Sequence, residues 1–233
     1  MAQRNRPDRH QPRGSQAASG GLPRFVRDEV ARVTEKSRLQ PTYELLEAAT
    51  QAFGEGRYRP ALRKLAEAKK LSPRAAVVRE LMGLSAYRLR RWEEALRELR
   101  TYRRLSGDTT HLPVEMDTLR ALGRTEDVHR AWEELQELGG RPGTLKEGRV
   151  VYGSFLLDQG EPRRAWEVSR PERITKDPYE EDLRQWYVAA RAAAALGDVG
   201  TARQLQRGIE SQDAGFPGLD ALEGEIGAAA GRQ

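Results

Sequence analysis

The chain has 233 residues, 38% of them hydrophobic and 32% charged, with no cysteine and a formal net charge of +5. The high charged share favours solvated helices, and the lack of cysteine excludes disulfides, thiolate metal sites and cysteine nucleophiles. No apolar run approaches the roughly 18–20 residues of a membrane span, and the arginine-bearing N-terminus lacks the apolar core of a secretory signal, so a cytoplasmic protein with no membrane partner is expected.

Residues 1–22 are rich in Arg, Gln, Pro, Gly and Ser, and Leu22 is their only large aliphatic residue after Met1. Such a segment buries too little apolar surface to offset its ordering entropy, so a disordered basic tail is expected. Residues 23–38 predict a helix with Pro23 in its first turn. Phe25, Val26, Val30 and Val33 share one side at spacings of three and four. Gln40-Pro41-Thr42 resets the chain, with Thr42 as N-cap, giving an N-terminal helix and linker over 23–41.

From Thr42 the pattern repeats. Tyr58 and Trp92, Ala61 and Ala95, and Leu65 and Leu99 each lie 34 residues apart. In the first unit, Leu45, Leu46, Ala49 and Phe53 mark one helix, ended by Gly54 and Gly56. Ala61, Leu62, Leu65 and Ala68 mark the next, stopped by Ser72-Pro73. The second unit, 76–109, has Gly83 in place of Ala49, Tyr102 in place of Ala68 and Gly107 in place of Pro73. A third unit flanks Gly123-Arg124-Thr125, with Leu119, Leu122, Val128, Trp132 and Leu135 as its packing residues and Thr125 as N-cap before the first-turn acids Glu126 and Asp127. The breaker cluster Gly139-Gly140-Arg141-Pro142-Gly143 is a candidate hinge. A fourth unit, about 144–176, carries Gly153, Gly160 and Ala165, with a second helix cut short before Pro171. A fifth starts near Pro178 with Trp186, Ala190, Ala194, the turn Gly197-Asp198, then Ala202, Leu205 and Ile209. Leu219, Leu222 and Ile226 give a closing helix.

A period of 34 with small residues at fixed places resembles the tetratricopeptide repeat family, most specifically over the first two units. Counting Thr42 as the first position, the family's small residue at the eighth falls on Ala49, its aromatic near the seventeenth on Tyr58, its small residues at the twentieth and twenty-seventh on Ala61 and Ala68, and its proline at the thirty-second on Pro73. The resemblance covers about 42–211. It implies an all-α fold, a right-handed superhelical solenoid of about five hairpins with an extra helix at each end, in a repeat domain over 42–230.

The residues offer no catalytic set. His10, His111 and His129 have no metal-ligand spacing, no phosphate-binding glycine loop occurs, and no serine stands in a nucleophile elbow. Acid pairs such as Glu93-Glu94, Glu133-Glu134 and Glu180-Glu181-Asp182 suit helix starts and solvated faces. No enzyme activity, metal or cofactor is expected. Tyr58, Trp92, Trp132, Trp166 and Trp186 fall at packing positions.

The resemblance points instead to binding. In the family, the first helix of each repeat lines a concave groove, which here offers Tyr43, Leu46, Thr50 and Phe53, then Val77, Glu80, Leu84, Tyr87 and Arg88. Later units offer Asp117 and Arg120, then Val150, Ser154 and Leu157, then Arg184, Tyr187 and Arg191. The front of this groove is aromatic and aliphatic, which suits an amphipathic helix or apolar peptide of a partner protein. The family's carboxylate clamp is not matched, because Leu46, Glu80, Thr50 and Leu84 stand at its positions.

The second surface is basic. Residues 57–104 hold fifteen Lys/Arg against five Asp/Glu, whereas residues 105–233 hold sixteen against twenty-three. Arg57, Arg63, Lys64, Lys69, Lys70, Arg97, Arg100, Arg103 and Arg104 are candidates for contact with nucleic acid or an acidic surface, by counterion release. An adaptor using the groove and a nucleic-acid- or ribosome-associated protein using the basic tail and patch are the two readings. Self-association through the Gly- and Ala-rich C-terminal helices is a third, so monomer and homo-oligomer both stay open.

Overall fold

The computed structural model describes residues 21–231, which form twelve α-helices with no strand among the described residues. The expected tail and His10 lie almost wholly outside that range. The chain divides between His111 and Leu112 into two compact units. The first contains α1 (Arg24–Val33), α2 (Lys36–Gly54), α3 (Tyr58–Leu71), α4 (Ala76–Arg88) and α5 (Trp92–Ser106). The second contains α6 (Leu112–Ala121), α7 (Thr125–Leu138), α8 (Pro142–Asp158), α9 (Pro162–Ser169), α10 (Glu180–Ala195), α11 (Val199–Gln212) and α12 (Leu219–Ala230).

Five helix pairs, two in the first unit and three in the second, turn through the same corner. The N–H of Arg57 donates to the Ala52 carbonyl at 2.8 Å, and Arg91 to Ala86, Arg124 to Leu119, Glu161 to Leu156 and Asp198 to Ala193 at 2.9–3.0 Å. This six-to-one bond, beside the Gly56 N–H to Phe53 carbonyl bond and its counterparts, satisfies carbonyls that a helix end leaves unpaired. It demands a left-handed residue in the middle. Gly56, Gly123, Gly160 and Gly197 fill that place with φ of 69–81°, and Arg90 fills it in the second corner with φ 57°.

The small residues mark where helices touch. A Cβ on Gly83 would lie 2.6 Å from Leu99 Cγ, and one on Gly153 would lie 2.9 Å from Val188 Cγ1. Ala49, Ala61, Ala95, Ala165 and Ala202 are fully buried. Tyr102, replacing the expected small residue, is buried against the His111 ring at 5.4 Å between centroids. In the second unit the core centres on Trp186, with Leu183, Leu205, Ile209, Leu222 and Ile226 around it.

Several boundaries differ from the sequence reading. The N-terminal helix stops at Val33, and α2 begins at Lys36, so Pro41 lies inside a helix. Only one backbone bond is forfeited there, close to the helix start. Thr42 is therefore no N-cap; its hydroxyl donates to the Arg38 carbonyl at 2.7 Å. On α1, Val26 and Val30 are buried while Phe25 and Val33 are exposed. Leu22, read as part of the tail, is also buried. Arg124, not Thr125, is the N-cap of α7. Residues 139–143 make a tight turn inside the second unit, with Gly139 at φ 68° ending α7 and Pro142 in the first turn of α8.

Candidate functional site

The α2–α4 face of the first unit carries the expected groove residues, and α1 is seated on part of it. Leu22, Val26 and Val30 recur every four residues and join the core that contains Leu46, Val77 and Leu81. The Glu29 carboxylate sits at the start of α4, where Oε1 accepts from the Ala76 N–H at 2.6 Å and Oε2 from the Val77 N–H at 3.3 Å. First-turn amides have no partner within their own helix, so this side chain supplies one in the manner of a capping acid. Burial pushes the Glu29 carboxyl above its ordinary value despite those two bonds. The Tyr43 hydroxyl donates to the Arg27 carbonyl at 3.0 Å, the Arg27 guanidinium lies 5.2 Å from the Tyr43 ring, and it reaches Glu47 at 3.3 Å.

The expected groove residues therefore divide. Leu46, Val77 and Leu84 are buried, and Tyr43 and Val77 contact α1 directly. Phe53 and Tyr87 remain half-buried, each packed edge-on against the aromatic across its corner, Tyr58 at 5.3 Å and Trp92 at 5.6 Å. Arg88 is exposed. Glu80 is buried and pairs with His111 at 2.7 Å, which removes it from the groove. In the second unit α12 plays a similar part: Arg191 pairs with Glu225 at 3.0 Å, and Tyr187 packs on Phe216 with centroids 5.6 Å apart. Asp117 and Arg120 pair with each other, and Arg120 also binds Asp158.

The expected basic patch is partly consumed by internal pairing. Glu98 is fully buried, with Lys69 Nζ at 2.9 Å, Arg79 at 2.8 Å and Arg97 Nε at 3.2 Å. Burial drives its carboxyl up, but Arg79 and Lys69 outweigh that and hold it below the ordinary range. Arg57 is held by Glu55 at 2.6 Å, and Arg100 and Arg103 also have partners within the chain. Arg63, Lys64, Lys70 and Arg104 are the members of the patch that make no ion pair among the described residues.

Between α3, the end of α4 and the start of α5 lies a cleft of about 410 Å³. Leu62, Ala66, Met82 and Leu89 form its apolar part, and Arg59, Arg63, Arg91 and Glu94 its charged part. Arg91 Nε lies 2.7 Å from Glu94 Oε2. Arg59 and Arg63 are exposed and have no ion-pair partner among the described residues.

Sequence reasoning missed Glu29, because its role depends on a contact 47 residues away. It missed Arg59 and Arg91 as cleft residues, although the spacing of Arg59, Arg63 and Ala66 on one helical face was visible. No protein-family model and no curated protein matches this chain.

Proposed function

We propose that this protein is a non-enzymatic adaptor of the tetratricopeptide-repeat type, which holds a helical segment of a partner protein on the α2–α4 face of its first unit. The repeat reading is supported by the five identical corners and by small residues at the helix contacts, Gly83 and Gly153 among them. About five repeats in a right-handed superhelix is the architecture that this reading entails.

One observation carries the binding assignment: the face already accommodates an amphipathic helix. α1 presents Leu22, Val26 and Val30 to it and places a carboxylate on the free amides of α4. A partner helix with the same alternation of apolar and acidic groups is the ligand that this chemistry recognises. Phe53, Tyr87 and Arg88 offer the strip that α1 leaves accessible.

The test is affinity capture from the native cell after nuclease treatment, comparing the wild type with Phe53→Glu and Tyr87→Glu. The same partner should be recovered by the wild type and lost from both variants, with helicity unchanged. Recovery by all three would overturn the groove assignment. The nucleic-acid reading retains Arg63, Lys64, Lys70 and Arg104 as free phosphate contacts; it predicts RNA or DNA binding with a steep salt slope, abolished by reversing those charges.

A further inference from the structure

We infer that the cleft between α3 and the α4–α5 corner is a second binding site, which takes an acidic protein segment with an aliphatic residue between carboxylates. It lies on the α3–α5 side of the first unit and is lined by none of the groove residues.

The volume, about 410 Å³, falls within the size of functional clefts, roughly 300–1,000 Å³. The floor of Leu62, Ala66, Met82 and Leu89 carries no polar side-chain oxygen or nitrogen, so it favours an aliphatic side chain. Met82 adapts its shape to such a guest. The rim is cationic. Arg59 and Arg63 project from successive turns of α3 with no ion-pair partner among the described residues, and Arg91 faces them with Glu94 holding its Nε. Guanidinium groups are weakly hydrated and bind carboxylates in a bidentate fork, which makes unpaired arginines beside an apolar floor a carboxylate site.

The corner adds an independent observation. Its middle residue is glycine in the other four corners and arginine here, at φ 57°. An L-residue is held in the left-handed region at a cost of roughly 1–2 kcal/mol. Arg90 stands between Leu89 on the floor and Arg91 on the rim, and it too makes no ion pair among the described residues. Nucleic acid fits this site less well, since no aromatic ring lines it to stack a base.

The experiment uses the full chain and a fluorescein-labelled peptide of sequence Glu-Asp-Leu-Glu-Asp-Leu, read by anisotropy at low salt. Two comparison probes replace Leu by Ser and the peptide by single-stranded RNA. The peptide should bind, and Arg59→Glu and Arg63→Glu should each weaken it by about tenfold or more, the size expected for one charge-assisted hydrogen bond. Lys70→Glu, outside the cleft, should change it by much less, and Tyr87→Glu should leave it unaltered. Both arginines are exposed and unpaired, so these variants should keep wild-type helicity. Four results overturn the inference: no binding of the peptide, equal binding of the serine peptide, tighter binding of RNA, or a self-associated species that the two arginine variants dissociate.

Discussion

Replacing Val30 by Asp should release α1 while leaving the rest of the first unit folded. Val30 is fully buried against the α2–α4 face. Its removal from that contact forfeits about 1.5–3 kcal/mol of apolar burial, and keeping α1 docked would bury an unpaired carboxylate at a further several kcal/mol. Undocking is the less costly outcome, because α1 is a peripheral helix and α2–α5 retain Ala61, Leu65, Leu81, Ala95 and Leu99 in their core. The reporter is built in. The amides of Ala76 and Val77 are first-turn groups whose acceptor is the Glu29 carboxylate. Hydrogen exchange should show both losing protection in Val30→Asp, while amides in the middle of α5 stay protected. Glu29→Ala should expose the same two amides with less loss of overall stability. Retained protection at Ala76 and Val77 in Val30→Asp would refute the docking argument; loss of protection through α5 would show that α1 belongs to the same cooperative core.

Further outcomes follow from the packing and the buried charges. Arg90→Gly should raise stability by about 0.5–1 kcal/mol, because a left-handed L-residue costs roughly 1–2 kcal/mol and glycine's own entropic penalty offsets part of the gain; a fall in the urea midpoint would contradict the shared corner geometry. Gly83→Val should destabilise by more than the roughly 1–3 kcal/mol typical of overpacking, since the first added carbon already meets Leu99 Cγ at 2.6 Å and Leu99 N at 3.1 Å. Glu98→Ala should cost about 3–5 kcal/mol in urea unfolding, leaving Lys69 and Arg79 without their buried anion. In the second unit, burial pushes Glu147 up to about 7, with Arg184 opposing and Glu181 and Glu180 adding to the shift. The folded state then holds a proton that the unfolded state releases nearer 4.5, so stability is gained below the unfolded value and lost as pH rises through about 7. Glu147→Gln should flatten that dependence in thermal melts taken between those values.

The hairpins were legible because each rests on local rules. A small residue at the eighth and twentieth positions, an aromatic after the corner and a left-handed glycine are all written within one unit of sequence, and α7 starts and ends where the pattern placed it. The second corner was harder to read, because Arg90 adopts φ 57° where composition would place glycine. The α1–α2 boundary was misread because proline and threonine at 41–42 are strong local stop and start signals, and tertiary contacts of α2 overrode them. The groove was legible as a face and illegible as a surface. Leu46 and Val77 were named from their repeat positions, but what covers them is fixed by Leu22, Val26 and Glu29, whose pairing across the fold leaves no periodic trace.

The positive excess of residues 57–104 takes on a narrower meaning once pairing is known. Charge counting treats every cation alike, yet Lys69, Arg79 and Arg97 converge on one buried carboxylate and Arg57 is held by its neighbour. Such cations are committed to the fold; detaching one to bind a ligand leaves an anion behind, which at Glu98 is fully buried and therefore costly. The cations able to engage a ligand at no cost to the fold are those with no internal partner. On α3 these are Arg59, Arg63, Lys64 and Lys70, and the first two converge on the apolar cleft. A uniform electrostatic footprint would engage all four equally, whereas a shaped site depends on Arg59 and Arg63 far more than on Lys70. Comparing Arg63→Glu with Lys70→Glu, two equal changes of charge on the same helix, separates recognition by shape from attraction by net charge.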